Sequence, residues 1–328
     1  MIKYIRDLVK IISVSGHEDK ISAYIAEKMK PYFDTVETDA LGNLICHKKG
    51  NGKKLMFCAH SDEIGFIVTF IDDDGFIRCA PVGGISFAAA AFSEVVFENG
   101  RRGVIVPEKE TKPADYKADK FVVDIGAKSK KEAERLVKIG DTFAVRPSVI
   151  SLAGSRLSGR PLDDKIGCAI LMEAAEKSEE FENDVTFVFT VQEEVGIRGA
   201  RTAAFAIRPD FGIAIDVTDT GDAKGASPMA VKLGGGAAIK IKDQSAICDV
   251  TLVEKMKKTA KENGIPHQLE VLTFGGTDTA SMQLAGEGCR AGCISIPTRY
   301  IHSAVETIDE KDVRAAIDLT VTLCKTQF

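Results

Sequence analysis

The stretch "KLMFCAHSDEIGFIVTFIDDDGFIRCA" (Lys54 to Ala80) decides how this chain is divided. Its first seven residues form a short apolar run that ends in a histidine, the pattern of a central strand in a parallel sheet. After Glu63 the period changes. "GFIVTFIDDDGFIRCA" reads as strand, acidic turn and strand, and "SEVVFENGRRGVIVPEK" repeats that form. "DTFAVRPSVISLAG" continues it, with Gly, Asp and Pro as punctuation and only "SKKEAERLV" as a short helix. The spacing predicts a β-rich unit over residues 67–155, inserted into something else.

Working outward, the flanking parts alternate helix and strand. "MIKYIRDLVKIISVSG" reads as an amphipathic helix, with Ile2, Ile5, Leu8 and Val9 interrupted by charges, and not as a signal peptide. "SGHEDKISAYIAEKMK" predicts a second helix, started by Ser15 or Gly16 and burying Ile21, Tyr24, Ile25 and Met29. "FDTVETD" and "NLICHKK" follow as strands. Beyond the insertion, a helix over 163–177 leads to the strand "DVTFVFT", and "GARTAAFA" leads to "DFGIAID". Later helices precede "HQLEVL" and "AGCISIP", and "DEKDVRAAIDLTVTLCKT" closes the chain. Residues 1–66 and 156–328 are therefore expected to form one α/β domain around the inserted unit.

Composition narrows the function. The 328 residues are 45% hydrophobic and carry 43 basic against 48 acidic side chains, a net charge of -5. That balance offers no counterion-release surface, so nucleic acid is not an expected partner. No apolar run reaches membrane-spanning length; "APVGGISFAAAAF" is the nearest and too short. Eight scattered cysteines suit buried thiols in a reducing cytoplasm, and Cys289 with Cys293 lacks four-thiolate zinc spacing.

Chemistry is expected at the carboxyl ends of the strands, where loops converge. His60, Asp62, Asp163, Asp164, Glu193, Glu194, Asp216 and His302 fall at such positions. Mixed imidazole and carboxylate donors suit Zn²⁺, Co²⁺ or Mn²⁺. One bridging carboxylate, with a histidine and a terminal carboxylate for each ion, would make a co-catalytic pair. In "TVQEEVGIRG", adjacent strand residues face opposite ways, so one glutamate can reach an ion while its neighbour serves as a general base. A glycosidase reading fits poorly, since its two acids stand about 5–9 Å apart across a sugar bond. Each feature has a plainer reading alone: a satisfied buried histidine, an Asp-Asp helix cap, a solvated Glu-Glu edge. "LGGGAA" (Leu233 to Ala238) lacks a phosphate-loop ending.

The ordered motifs "SGHE", "DALGNLI", "AHSDEIG", "LDDKIG", "EEVGIRGA", "IDVT", "GGTDT" and "IPTRYIHS" closely resemble the M42 family of metallo-aminopeptidases. The resemblance runs through nearly the whole chain. It implies a mixed-sheet, zinc-peptidase-like domain with helices on both faces, interrupted by a β-barrel-like domain. It implies two divalent metal ions, with His60, Asp163 and Asp216 on one and Asp163, Glu194 and His302 on the other. Asp62 would orient His60, Glu193 would be the general base, and the Asp163–Asp164 peptide would be cis. The substrates would be short peptides with a free N-terminus, and the assembly a homo-oligomer, in many members a tetrahedral dodecamer. Zinc or cobalt would be the metal, with manganese as an alternative. Two positions depart from the pattern: Ser61 where many relatives carry Met, and Lys165 where Arg is usual. The alternative functions are hydrolysis of another amide, a glucanase activity as some relatives are labelled, or an inactive metal-binding scaffold.

Overall fold

Alternation along the strand Lys54–His60 sorts the core of the larger unit onto two faces. A computed structural model describes residues 2–178 and 181–328 of the chain. Leu55, Phe57 and Ala59 join one apolar cluster, with Ile25, Ile170 and Leu319 from the helices Asp19–Met29, Lys165–Lys177 and Glu310–Lys325. Met56 and Cys58 point the other way, to Ala200, Ala203 and Met282 of the helices Arg198–Ile207 and Asp278–Gln283. Each fully buried Phe or Leu contributes about 1.5–3 kcal/mol.

The large mixed sheet runs, in spatial order, through Thr35–Thr38, Leu44–Lys48, Asp184–Thr190, Lys54–His60 and Phe211–Thr218. It continues through Arg290–Arg299, Glu306–Asp309, Arg156–Arg160 and Ser148–Ser151, while Ala237–Lys242 and His267–Val271 branch from Arg290–Arg299. Lys54–His60 is central and parallel to both neighbours, as its apolar run predicts. The register sets Thr190 opposite His60 and Ala214 opposite Cys58. Two residues further on, Asp216 thus comes level with His60.

The β-rich segment closes into a six-stranded barrel. Gly65–Ile71, Ile77–Val82, Phe121–Asp124, Arg102–Pro107, Ser93–Phe97 and Thr142–Val145 pair in that order, and the last returns to the first. Phe66, Phe97, Phe121 and Phe143 fill it, with Phe66 and Phe143 stacked at 5.3 Å. Ser148–Ser151 pairs with Arg156–Arg160 in the large sheet, so the chain re-enters that sheet before residue 156.

Two local expectations change. The first helix is a single turn, Ile5–Leu8. Ile12 and Val14 leave it to pack against Ala144 of the barrel, and Val14 bridges Glu63. The second helix begins at Asp19, beyond Ser15 and Gly16. Gly16 has φ +88, which a helix start does not use, and Ser15 turns its hydroxyl to Asp62. The glycine run at Leu233–Ala238 grips the closing helix: the Gly234 and Gly236 amides each donate to Asp312 at 2.7 Å. Gly236 has φ +95, and a Cβ there would stand 2.2 Å from the Pro266 carbonyl carbon.

Candidate metal centre

His60 ends its strand with a side chain only 2% exposed, facing acids on both sides. Its Nδ1 lies 3.2 Å from the Asp62 carbonyl oxygen and 3.4 Å from Asp62 Oδ1. Its Nε2 lies 3.0 Å from Asp163 Oδ1 and 3.9 Å from Asp216 Oδ1. The other oxygen of Asp163, Oδ2, is 3.3 Å from His302 Nε2, and Glu194 Oε2 is 3.2 Å from the same nitrogen. Five candidate ligands from five separate segments, His60, Asp163, Glu194, Asp216 and His302, thus converge, with Asp163 between the two imidazoles.

The "DD" pair divides its duties. Asp164 accepts from the His60 amide with Oδ2 at 3.2 Å and caps the helix Lys165–Lys177 through Oδ1, 3.0 Å from the Gly167 amide. Both its oxygens are engaged, whereas Asp163 turns to the histidines. The peptide between them is cis. Ligand-capable atoms of His60, Asp163 and Glu194 lie within 4.8 Å of one another, as do those of His60, Asp164 and Asp216.

Glu193 and Glu194 stand in a turn beyond the strand Asp184–Thr190, with Gln192 at φ +56 before them. Strand alternation therefore does not separate them. Asp62 does: its Oδ1 accepts from the Glu193 amide at 3.0 Å and its Oδ2 from the Glu194 amide at 3.2 Å. Ser15 Oγ donates to the same Oδ2 at 2.6 Å. Glu18 accepts from the Gln192 amide at 3.1 Å and the Gly16 amide at 2.8 Å, so the N-terminal "SGHE" segment clasps the glutamate turn. Glu193 lines the cleft but joins neither donor cluster.

Electrostatics mark a shortage of positive charge. Burial pushes the Glu193, Asp164 and Asp216 carboxyls well above the carboxylate range, and neighbouring acids push the same way. Burial also raises Glu194. For His302, burial works downward but contacts with Asp163 and Glu194 outweigh it, raising the imidazole to about 11. Glu194 Oε1 is buried without a hydrogen-bond partner among the described residues. An orphaned carboxylate oxygen, crowded acids and two imidazoles without a thiolate fit a pair of divalent cations.

Sequence reading did not single out Ser15, Glu18 or Glu306, whose carboxylate accepts from the Asp163 and His302 amides, as parts of this support. Glu306 carried no local sign beyond standing four residues after His302. Ser15 and Glu18 read as the start of a helix. The two departures from the family pattern meet behind the site: Lys165 Nζ, fully buried, donates to the Ser61 carbonyl at 2.8 Å and to Ser13 Oγ. In front of it opens a cleft of about 720 Å³, with Ile197, Val217, Leu272, Phe274 and Tyr300 on its walls.

Comparison with known proteins agrees with this geometry. Residues 42–319 match the family model described as M42 glutamyl aminopeptidase. A putative aminopeptidase of Acetivibrio thermocellus is 44% identical over 98% of this chain and 97% of its own length. An aminopeptidase from the archaeon Desulfurococcus kamchatkensis superposes with a TM-score of 0.95 at 36% identity, covering 99% of this chain and 94% of that one. The TET1 peptidase of Pyrococcus horikoshii, described as able to assemble into a tetrahedron or a large octahedral shell, gives 0.90 at 35% identity over 99% of each chain. With most of its length matched by the family model and a two-histidine, multi-carboxylate centre in place, the chain belongs to the M42 family and is a metal-dependent aminopeptidase.

Proposed function

We propose that His60, Asp163 and Asp216 hold one ion and Asp163, Glu194 and His302 the other, with Glu193 as the general base. The observation that carries this reading is Asp163, whose Oδ1 and Oδ2 face two different histidines at 3.0 and 3.3 Å. Ions bound by these donors supply Lewis-acid polarisation of the scissile carbonyl. Glu193 takes a proton from the attacking water and returns it to the leaving nitrogen as the C–N bond breaks. The products are a free amino acid and a peptide one residue shorter. Asp62 holds the Glu193 backbone and faces His60 Nδ1, which fixes the imidazole so that Nε2 looks inward.

Zinc or cobalt, with manganese as the alternative, is supported by the mixture of imidazole and carboxylate donors. Short peptides with a free N-terminus are the substrates in this reading. A homo-oligomer, with a tetrahedral dodecamer among its forms, is supported by the close likeness to a peptidase that builds shells. A cytoplasmic setting is supported by eight free cysteines, seven of them buried. Among the described residues, no helix is long and apolar enough to cross a membrane. The same reading treats residues 1–66 and 156–328 as the catalytic unit and 67–155 as the insertion, with Ser148–Ser151 lent to the catalytic sheet.

The test is hydrolysis of aminoacyl-p-nitroanilides carrying Glu, Leu, Lys and Ala, by metal-free protein and by protein reloaded with Co²⁺ or Zn²⁺. Cleavage of free-amine substrates alone, and only in the reloaded protein, is expected. Equal cleavage of N-acetylated controls, or no cleavage in any loaded state, would overturn the reading.

A further inference from the structure

We infer that Glu306 is a positioning residue that holds Asp163 and His302 at their mutual spacing, an inference that rests on the proposed ligand roles of those two residues. Glu306 begins the strand Glu306–Asp309 opposite Gly159 and is 2% exposed. Its Oε2 accepts from the Leu162 amide at 2.6 Å and the Asp163 amide at 3.1 Å. Its Oε1 accepts from the His302 amide at 3.0 Å.

The two backbones it joins arrive from different strands. Leu162 and Asp163 follow Arg156–Arg160, and His302 follows Arg290–Arg299. His302 has φ 62 and Tyr300 the same, a left-handed conformation that residues with side chains seldom adopt. The Glu306 carboxylate ties that turn to the neighbouring segment. Arg160 repeats the tie alongside: its guanidinium donates to the Ile64 carbonyl at 2.9 Å and the Ser303 carbonyl at 3.4 Å.

Chemistry distinguishes this carboxylate from a neutral filler. Three N–H donors converge on two oxygens, and only a carboxylate offers acceptors on both sides. A glutamine keeps one oxygen. Turned so that it serves the Leu162 and Asp163 amides, it sets its NH₂ against the His302 amide. The His302 half of the centre then loosens while the His60 half, built on other strands, keeps its frame. Loss of such outer support typically weakens metal binding about 10- to 100-fold.

The experiment titrates metal-free wild type, Glu306→Gln and His302→Ala with Co²⁺, reading bound metal by equilibrium dialysis and the visible absorption of the cobalt. Wild type is expected to take two ions per chain. Glu306→Gln is expected to take one with wild-type affinity and the second about 10- to 100-fold more weakly. Its kcat should recover in excess Co²⁺ with KM little changed, which a general loss of stability does not produce. His302→Ala is read first: two ions bound there with wild-type affinity overturn the ligand reading and this inference with it. One ion lost in His302→Ala but both kept in Glu306→Gln overturns the inference alone. Should Glu306→Gln fail to fold, Glu306→Ala is titrated with added acetate, and recovery of the second ion is expected. No recovery, or loss of fold in both variants, makes Glu306 a folding residue and overturns the proposal.

Discussion

The carboxylate of Asp62 lies beneath the backbone of Glu193, its Oδ1 3.0 Å from the amide nitrogen. The same side chain is fully buried, faces the His60 ring and takes the Glu194 amide through its other oxygen. One acid therefore sets the orientation of a candidate ligand, the base and a second ligand together. Removing it in Asp62→Ala frees all three. Activity should fall about 10- to 100-fold, with metal affinity reduced as well. Steady-state kinetics with metal analysis check this, and unchanged metal binding with normal kcat would sink the role.

Glu193→Gln separates the base from the ligands. Glutamine preserves the shape and the backbone bond to Asp62 but cannot accept a proton from water. The expected loss in kcat is roughly 10²- to 10⁴-fold, the range general acid–base catalysis contributes. Two ions per chain should remain by metal analysis, since Glu193 stands outside both donor clusters. Near-normal turnover would exclude Glu193 as the base.

What was legible in the sequence was local. The apolar run Leu55–Ala59, the period change after Glu63 and the helix–strand alternation beyond residue 162 each encode a face to bury. Donors placed at strand ends could be named from the same pattern, because a parallel register gathers those ends. What was not legible was their support. Glu306 bonds backbone 144 residues away, and Glu18 bonds backbone 174 residues away. A carboxylate gripping distant amides leaves no periodic trace. The Glu193–Glu194 turn reads as strand because Val191 prolongs the run "VTFVFT" by one apolar residue, while the Asn43 side chain takes the Val191 amide at 3.1 Å and the strand ends at Thr190.

Metal binding should be strongly pH-dependent. In the metal-free chain His302 is raised to about 11, so it carries a proton throughout the neutral range. Burial holds Asp216 well above the carboxylate range as well. Ions bind only neutral imidazole and ionised carboxylate, so uptake must expel these protons. Affinity should therefore rise with pH, by about tenfold per unit for each proton released. Calorimetric titration with Zn²⁺ at pH 7, in buffers of differing ionisation enthalpy, measures the release. No net proton release would show that His302 and Asp216 already hold no proton without metal.

Lys240 offers a test of stability apart from the ligands. It is fully buried beside the cleft, hydrogen-bonded to Glu270 and 3.7 Å from Asp243 Oδ2. Glu270 Oε1 also accepts from Thr218 Oγ1 at 2.8 Å, while Glu270 Oε2 and Asp243 Oδ2 have no hydrogen-bond partner among the described residues. One cation thus serves two buried acids, Glu270 in the strand His267–Val271 and Asp243 just beyond the strand Ala237–Lys242. Lys240→Met leaves both acids uncompensated, a change that costs about 3–5 kcal/mol when a buried pair is broken from one side. Adding Glu270→Gln removes one stranded charge, so the double variant should be more stable than Lys240→Met alone. Urea unfolding of the metal-free proteins at one fixed concentration reads both steps. A coupling energy below about 0.5 kcal/mol between the two sites would show that the contact adds nothing beyond packing.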